Sequence, residues 1–211
     1  MSKSRCRKML DNLITHRPPP PNRVAACDGD VEHYLSEGAV MLAFALHLLR
    51  SVLGLKQVAI HPDGEHGKRF DFRDWLLGQG FTLEKPSGRT SYGGLYRSTD
   101  GKTLVVHPAS GLGDVVAEWE GGSIVAECKG GVLNTRHPGQ QSRLRQGLSE
   151  TIGLSLASPV VPNRRQFAVV PRTKATEALA KRMAERAARA GVTIALVDGR
   201  GVVRTIDVAR D

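Results

Sequence analysis

The chain has 211 residues, of which 40% are hydrophobic and 24% charged, and its formal net charge is +9, which suits one folded domain with a real core. No run approaches the roughly 20 apolar residues of a membrane span, and three widely spaced cysteines argue against a disulfide framework or a zinc knuckle. We therefore expect a cytoplasmic protein with no signal peptide and no membrane partner.

The N-terminal part of the chain changes character near residue 30. Basic side chains surround the four-proline run 18–21, so we predict an arm or linker over residues 1–29 and a single domain over 30–211. Ser36 is a favoured N-cap residue, and the apolar residues after it predict a helix buried on several sides. A second helix is predicted over 70–77, ending at glycines.

The remainder of the chain alternates between strand and helix patterns. Period-two segments predict four strands joined by glycine-rich turns, at 93–98, 103–107, 114–119 and 123–129. A helix over 142–157 and a strand over 166–171 follow, then a helix over 174–190, a strand over 192–198 and a strand-like tail over 201–208. An antiparallel meander followed by helical crossovers predicts an α/β fold with a mixed sheet flanked by helices.

The third and fourth strand candidates contain charged residues at unusual places. If Gly121 and Gly122 form a primed hairpin turn, Asp114 lies directly opposite Lys129. Alternation then puts Asp114, Glu127 and Lys129 on one face of the sheet, close enough for the two carboxylates to share a Mg²⁺ ion. An exposed ion pair between Asp114 and Lys129 is the structural alternative, and spacing alone does not decide between them.

A family resemblance rests on these same residues. Gly113-Asp114, twelve intervening residues and Glu127-Cys128-Lys129 resemble the signature of the PD-(D/E)XK nuclease superfamily, with Gly in place of the motif's Pro. The resemblance implies metal-dependent phosphodiester cleavage, with Asp114 and Glu127 binding Mg²⁺, Mn²⁺ as a substitute ion, and Lys129 positioning the attacking water.

The resemblance also implies a fold. The restriction endonuclease-like αβββαβ core would cover residues 31–171, with 172–211 as an additional helix and strand. Glu37, at the start of the first predicted helix, matches an acid that joins the metal site in some members of the superfamily, although the helix dipole also favours an acid there.

The helix after the motif supplies further candidates. In many such nucleases this helix presents Gln or Arg toward the active centre, and here Arg145, Gln146 and Glu150 are the candidates, with Gln146 assigned a catalytic role. Gln146 and Glu150 are four residues apart and share a face. A solvated polar face is the alternative for this side of the helix.

The positive charge is concentrated after the motif, where residues 130–211 hold 14 Lys and Arg against 6 Asp and Glu. Such a basic region predicts a polyanionic partner, with DNA favoured and RNA as an alternative, unless it serves solubility alone. The candidate contacts to backbone phosphates are Arg136, Arg143, Arg145, Arg164 and Arg165. The resemblance adds a homodimer as one possible assembly, since members of this fold that cut both strands are often dimers. The rival interpretations are a non-catalytic nucleic-acid-binding or interaction subunit on the same fold, and an unrelated α/β protein with an edge hairpin at 113–131.

Overall fold

The computed structural model describes residues 13–27, 31–62 and 64–206, which form two β-sheets with helices packed against them. The smaller sheet has three strands. Its central strand β2 (Glu32–Leu35) pairs antiparallel with both β1 (Ile14–Arg17) and β9 (Gly131–Val132). The smaller sheet therefore joins the N-terminal segment to the chain that follows the charged motif.

Part of the segment predicted as an arm belongs to this small sheet. Leu13 is fully buried, β1 follows it, and Pro21–Ala26 form a 3-10 helix. The buried Glu32 forms ion pairs with Arg17 and Arg23, which hold this segment against β2. The other residues of the predicted arm lie outside the described part of the chain.

The first long helix, α1 (Glu37–Ser51), has the predicted cap and the predicted burial. The Ser36 hydroxyl accepts a hydrogen bond of 3.1 Å from the Ala39 N–H, satisfying one of the donors left open at the helix start. All residues from 38 to 46 are buried, which confirms the prediction of a helix enclosed on several sides.

The larger sheet has nine strands. In chain order they are β3 (Gln57–Ile60), β4 (Thr82–Pro86), β5 (Gly94–Arg97), β6 (Thr103–Val106), β7 (Val115–Trp119), β8 (Gly122–Cys128), β10 (Arg164–Pro171), β11 (Val192–Val197) and β12 (Val203–Thr205). Across the sheet they lie in the order β12-β11-β10-β8-β7-β3-β6-β5-β4. The pairs β8–β10, β10–β11 and β3–β6 are parallel and the rest antiparallel, so the sheet is mixed as predicted.

The predicted four-strand meander is wrong at one junction. Strand β3, which the sequence shows only as a short apolar run, lies between β6 and β7 and pairs with both. Val58 and Ile60 of this strand are fully buried, so its apolar side chains fill the centre of the sheet. Pairing between segments so far apart in the chain leaves no local signal, and the sequence therefore did not reveal it.

Helices cover both faces of the larger sheet. Phe167 and Val169 of β10 belong to the same core as α1, whereas Ala168 and Val170 pack with α4 (Pro138–Ala157) and α5 (Lys174–Arg189). The strand is thus buried on both sides, as its nearly continuous apolar sequence requires. Two short helices, α2 (Gly64–Arg69) and α3 (Phe72–Gly78), connect β3 to β4.

Two further predictions concern the helices. Helix α4 begins at Pro138 rather than near residue 142, because proline is well suited to the first turn of a helix. Within the described ranges, every helix is too short or too polar to cross a lipid bilayer.

Candidate active site

The hairpin of β7 and β8 has a register different from the predicted one. Trp119 pairs with Gly122, so the turn lies one residue earlier than expected. Continued along the two strands, this pairing puts Asp114 opposite Glu127, and the prediction that Asp114 faces Lys129 is wrong. The register shift is two residues, a full side-chain period, so all three charged residues keep the same face.

The two glycines of this hairpin have different roles. Neither Glu120 nor Gly121, the turn residues, has a positive φ, so the turn is not the primed type that the Gly-Gly pair predicted. Gly122 has φ of +142°, and a Cβ there would lie 2.5 Å from the Asn163 carbonyl oxygen. That carbonyl accepts a hydrogen bond from the Ser123 N–H. Gly122 is therefore required by the close approach of the chain before β10.

Asp114 lies directly before β7 and ties that end of the hairpin together. Its Oδ2 accepts a hydrogen bond of 2.7 Å from the backbone N–H of Cys128, and its carbonyl oxygen accepts one from the N–H of His61. The carboxylate thus adds a hydrogen bond between the two chain segments just beyond the end of the β7–β8 pairing. Cys128 itself is fully buried, and burial raises the pKa of its thiol well above the usual value, which keeps it neutral and unreactive.

Glu127 is the most perturbed acid at this end of the sheet. Burial and the neighbouring carboxylates of Asp114 and Glu37 raise the pKa of Glu127 from 4.5 to about 7, and Lys129 only partly offsets them. A Cβ on Gly113 would lie 3.2 Å from Glu127 Oε1, so this carboxyl group sits beside the chain that leads into Asp114. The carboxyl groups of Glu127, Asp114 and Glu37 therefore lie near one another where water is partly excluded.

Glu37 reaches the same place from the start of α1. A Cβ on Gly130 would lie 2.5 Å from the Glu37 backbone nitrogen, so only glycine lets the end of β8 pass this close to the helix. The close approach brings Glu37 Oε2 to 3.5 Å from Lys129 Nζ. Glu37 thus joins Asp114 and Glu127 in the electrostatic surroundings of Lys129.

Lys129 is held between two helices. Its Nζ lies 3.4 Å from Glu150 Oε1 of α4 as well as near Glu37 of α1. Burial lowers the pKa of Lys129, but the carboxylates of Glu37, Glu150 and Asp114 outweigh it, so the pKa lies above its usual value. Lys129 therefore remains a protonated ammonium group, which offers positive charge and N–H donors and has no lone pair for a base.

Gln146 occupies a less central position than the sequence predicted. It is exposed on α4, one turn before Glu150, and among the described contacts none joins it to Asp114, Glu127 or Lys129. Glu150, also a candidate from the sequence but without an assigned role, is the residue of this helix that contacts Lys129.

The predicted phosphate-binding arginines are split between two ends of the sheet. Arg164 and Arg165 begin β10, which pairs in parallel with the start of β8, so they lie roughly 20 Å along the strands from Lys129. The geometry follows from the crossover, because α4 returns the chain to the end of the sheet where β8 began. Arg136 and Arg143 are exposed and Arg145 is half-buried, at or near the start of α4.

A basic pocket beside this site was not expected from the sequence. It has a volume of about 280 Å³ and adjoins Gly130, and its polar lining consists of Arg17, Arg23, Tyr34, Gln140 and Arg143. The first three come from β1, the 3-10 helix and β2, which lie far from the motif in sequence. The only local signal is the opposite-charge pair that Arg17 forms across the strands with Glu32.

The carboxylate oxygens at this site suit a hard cation, although they do not converge on one common point. Glu37, Asp114 and Glu127 supply carboxylate oxygens, the ligands that Mg²⁺ prefers. Among the residues that the structure describes, no three His, Cys, Asp or Glu side chains are arranged to hold a metal ion as they stand. Burial raises the pKa of Glu127 most, and repulsion from Asp114 and Glu37 adds to it; a bound cation would relieve this repulsion. No family model, curated protein or solved structure matches the chain.

Proposed function

We propose that the protein is a Mg²⁺-dependent nuclease of the PD-(D/E)XK class that hydrolyses phosphodiester bonds of DNA. The observation that carries this proposal is the meeting of Glu37, Asp114, Glu127 and Lys129 at one end of the larger sheet. These residues come from α1, from the chain before β7, and from β8 and the residue after it. Acids from separate elements around one ammonium group are more typical of a reaction centre than of a surface ion pair.

The order of elements supports the same class. Setting aside the insertion from α2 to β6 and the two-residue strand β9 of the smaller sheet, the chain runs α1, β3, β7, β8, α4 and β10, which is the αβββαβ order of a restriction endonuclease-like core. Strands β3, β7, β8, β10 and β11 are also consecutive neighbours in the sheet. Under this proposal α5, β11 and β12 are additions after the core.

Each side chain of this site has its own proposed role. Glu37, Asp114 and Glu127 would hold Mg²⁺, which when bound stabilises negative charge on a phosphodiester and lowers the pKa of a bound water. Lys129, kept protonated by its acidic neighbours, donates hydrogen bonds to the attacking water or to the phosphate oxygens and favours the charge that develops there. Glu37 and Glu150 hold Lys129 in position from opposite helices.

The nature of the substrate follows from charge. The basic region after the motif and the exposed Arg143 favour a polyanion, and aromatic residues make up only 5% of the chain, too few for an extended base-stacking platform. Duplex or structured DNA is therefore the proposed substrate, with RNA as the alternative to test beside it.

The test is a cleavage assay on labelled duplex, single-stranded and branched DNA, with and without Mg²⁺ or Mn²⁺. We expect metal-dependent cleavage by the wild type and a loss of roughly 10²–10³-fold in Asp114→Asn and Lys129→Ala. Glu118→Gln, which removes an exposed carboxylate from β7, is the matched control and should cleave normally. Binding without cleavage by the wild type under either metal would instead identify a non-catalytic binding subunit.

A further inference from the structure

The basic pocket beside Gly130 differs in chemistry from the acidic site next to it. Three arginines line it and, among the residues that the structure describes, no carboxylate does, because Glu32, which pairs with two of them, is buried behind them. Lys129 precedes Gly130 directly in the chain, so the pocket lies beside the proposed reaction centre. An anion in the pocket would therefore lie close to the group being cleaved.

Two of the arginines are held in place before any ligand arrives. Arg23 donates to Glu32 through both Nε, at 2.7 Å from Oε1, and Nη2, at 3.2 Å from Oε2. Arg17 donates through Nε at 2.9 Å, and its guanidinium lies 4.2 Å from the centre of the Tyr34 ring. Guanidinium groups fixed in this way lose little freedom when they bind an anion, which favours affinity.

The opposite wall comes from the first two turns of α4. Gln140 and Arg143 project from it, and this 20-residue helix directs the positive end of its dipole toward the same region. Arg143 is exposed, and within the described residues it has no carboxylate partner, so its charge is available to a ligand. Fixed arginines on one wall and an available arginine on the other form a clamp for an oxyanion.

We propose that this pocket binds a phosphate group of the nucleic-acid substrate and so sets where the strand lies relative to Lys129. Its volume of about 280 Å³ is smaller than the usual pocket for a whole drug-sized ligand, and it suits a phosphate with part of its attached sugar. The phosphate belongs either to a strand end, as a monoester, or to the interior of the strand, as a diester. The identity of the ligand rests on the proposed function, whereas anion binding by the pocket does not.

The test measures binding of the full-length protein in EDTA, so that no cleavage occurs. The probes are labelled DNA duplexes that carry a 5′-phosphate, a 3′-phosphate or only hydroxyl ends, with inorganic phosphate as competitor. Arg143→Ala is the test variant, because this exposed residue should be removable without unfolding the protein, and Arg143→Lys tests whether charge alone suffices. Arg182→Ala, an exposed arginine on α5, is the matched control.

A terminal-phosphate pocket predicts that one end-phosphorylated duplex binds about tenfold more tightly than the hydroxyl duplex, and that Arg143→Ala abolishes this difference. An internal-phosphate pocket predicts that Arg143→Ala weakens all duplexes alike and lowers the slope of log K against log salt by about 0.9. Either result supports the proposal and identifies the source of the phosphate. Equal affinities and salt slopes for the wild type, Arg143→Ala and Arg182→Ala would overturn it.

The two proposals can fail separately. If the wild type binds through Arg143 but never cleaves with Mg²⁺ or Mn²⁺, the nuclease function fails and the pocket stands. If the wild type cleaves and Arg143→Ala binds and cleaves normally, only the pocket fails.

Discussion

Two carboxyl groups of this protein lie in opposite electrostatic surroundings. Glu32, in β2, is completely buried, and two arginines donate hydrogen bonds to its oxygens. Glu127, in β8, is half-buried beside Asp114 and Glu37, and its pKa is raised to about 7. The first carboxylate is fully satisfied by the fold, and the second is destabilised by it.

The two surroundings are typical of two different roles of a buried or half-buried acid. A buried acid whose charge is compensated holds elements together, as Glu32 holds β1 and the 3-10 helix. An acid placed among like charges lowers the stability of the protein, and such an arrangement is expected where a cation or a reaction requires it. Glu32 also fixes two arginines of the basic pocket, so the satisfied carboxylate supports the proposed phosphate pocket and the destabilised one belongs to the proposed metal site.

The largest expected effect is on the satisfied carboxylate. Glu32→Gln leaves Arg17 and Arg23 without their buried counter-charge, and we expect the free energy of unfolding to fall by about 3–5 kcal/mol. Chemical denaturation monitored by circular dichroism measures this loss. Glu118→Gln, at an exposed position, should change stability by no more than about 0.5 kcal/mol. Equal effects of the two changes would show that the Glu32 network is not structural.

The next effect concerns the register that puts Asp114 opposite Glu127. Gly122→Ala places a Cβ against the Asn163 carbonyl at a φ that disfavours side chains, and we expect a loss of about 1–3 kcal/mol in the free energy of unfolding. Gly153→Ala, on α4 with no atom within 4 Å of the new Cβ, is the control and should stabilise the protein by about 0.5–1 kcal/mol. A neutral Gly122→Ala variant would argue that the turn lies elsewhere.

The smallest effect has a distinctive dependence on pH. Between pH 4.5 and about 7, Glu127 retains its proton in the folded state while the unfolded chain has lost it, so stability falls as the pH rises through this window. Glu127→Gln removes this penalty. The variant should therefore gain about 1–2 kcal/mol over the wild type between pH 4.5 and pH 8, a value reduced for solvent screening of a half-buried group.

Denaturation of both proteins across this pH range measures that gain. Glu118→Gln is again the matched control for the loss of a carboxylate. A difference between Glu127→Gln and the wild type that stays constant from pH 4.5 to pH 8, or that changes in the opposite direction, would contradict the account of Glu127 as a destabilised acid.

Local signals in the sequence predicted much of the fold. Ser36 identified the start of α1, period-two alternation located β5 to β8, and the amphipathic pattern located α5 within one residue of its end. The insertion of β3 beside β7 was not predictable in this way, because it depends on pairing between distant segments. The same reason explains why the small sheet was missed. Strand β4 pairs with its chain neighbour β5 but was missed because it is mostly exposed and polar, so it lacks an apolar alternation.

For the candidate site, the sequence placed the charged residues on one face but gave the wrong pairing between the strands. Asp114, Glu127 and Lys129 were chosen from their spacing. They share a face in the predicted and in the observed register, because a shift of two residues preserves the alternation of side chains. Glu150 was favoured less than Gln146, since the sequence places both on one face of α4 and does not show which turn passes over Lys129. The pocket arginines needed the packing of the small sheet against α4, which no spacing reports.

The central claim is that Glu127 belongs to a site that a divalent cation completes. Its most direct test is a ¹³C NMR titration of the Glu127 carboxyl carbon from pH 4 to pH 9, with and without saturating Mg²⁺. We expect a pKa of about 7 in the metal-free protein and a fall of at least about one unit when Mg²⁺ is present, because the cation competes with the proton. A Glu127 pKa that Mg²⁺ leaves unchanged would contradict the claim.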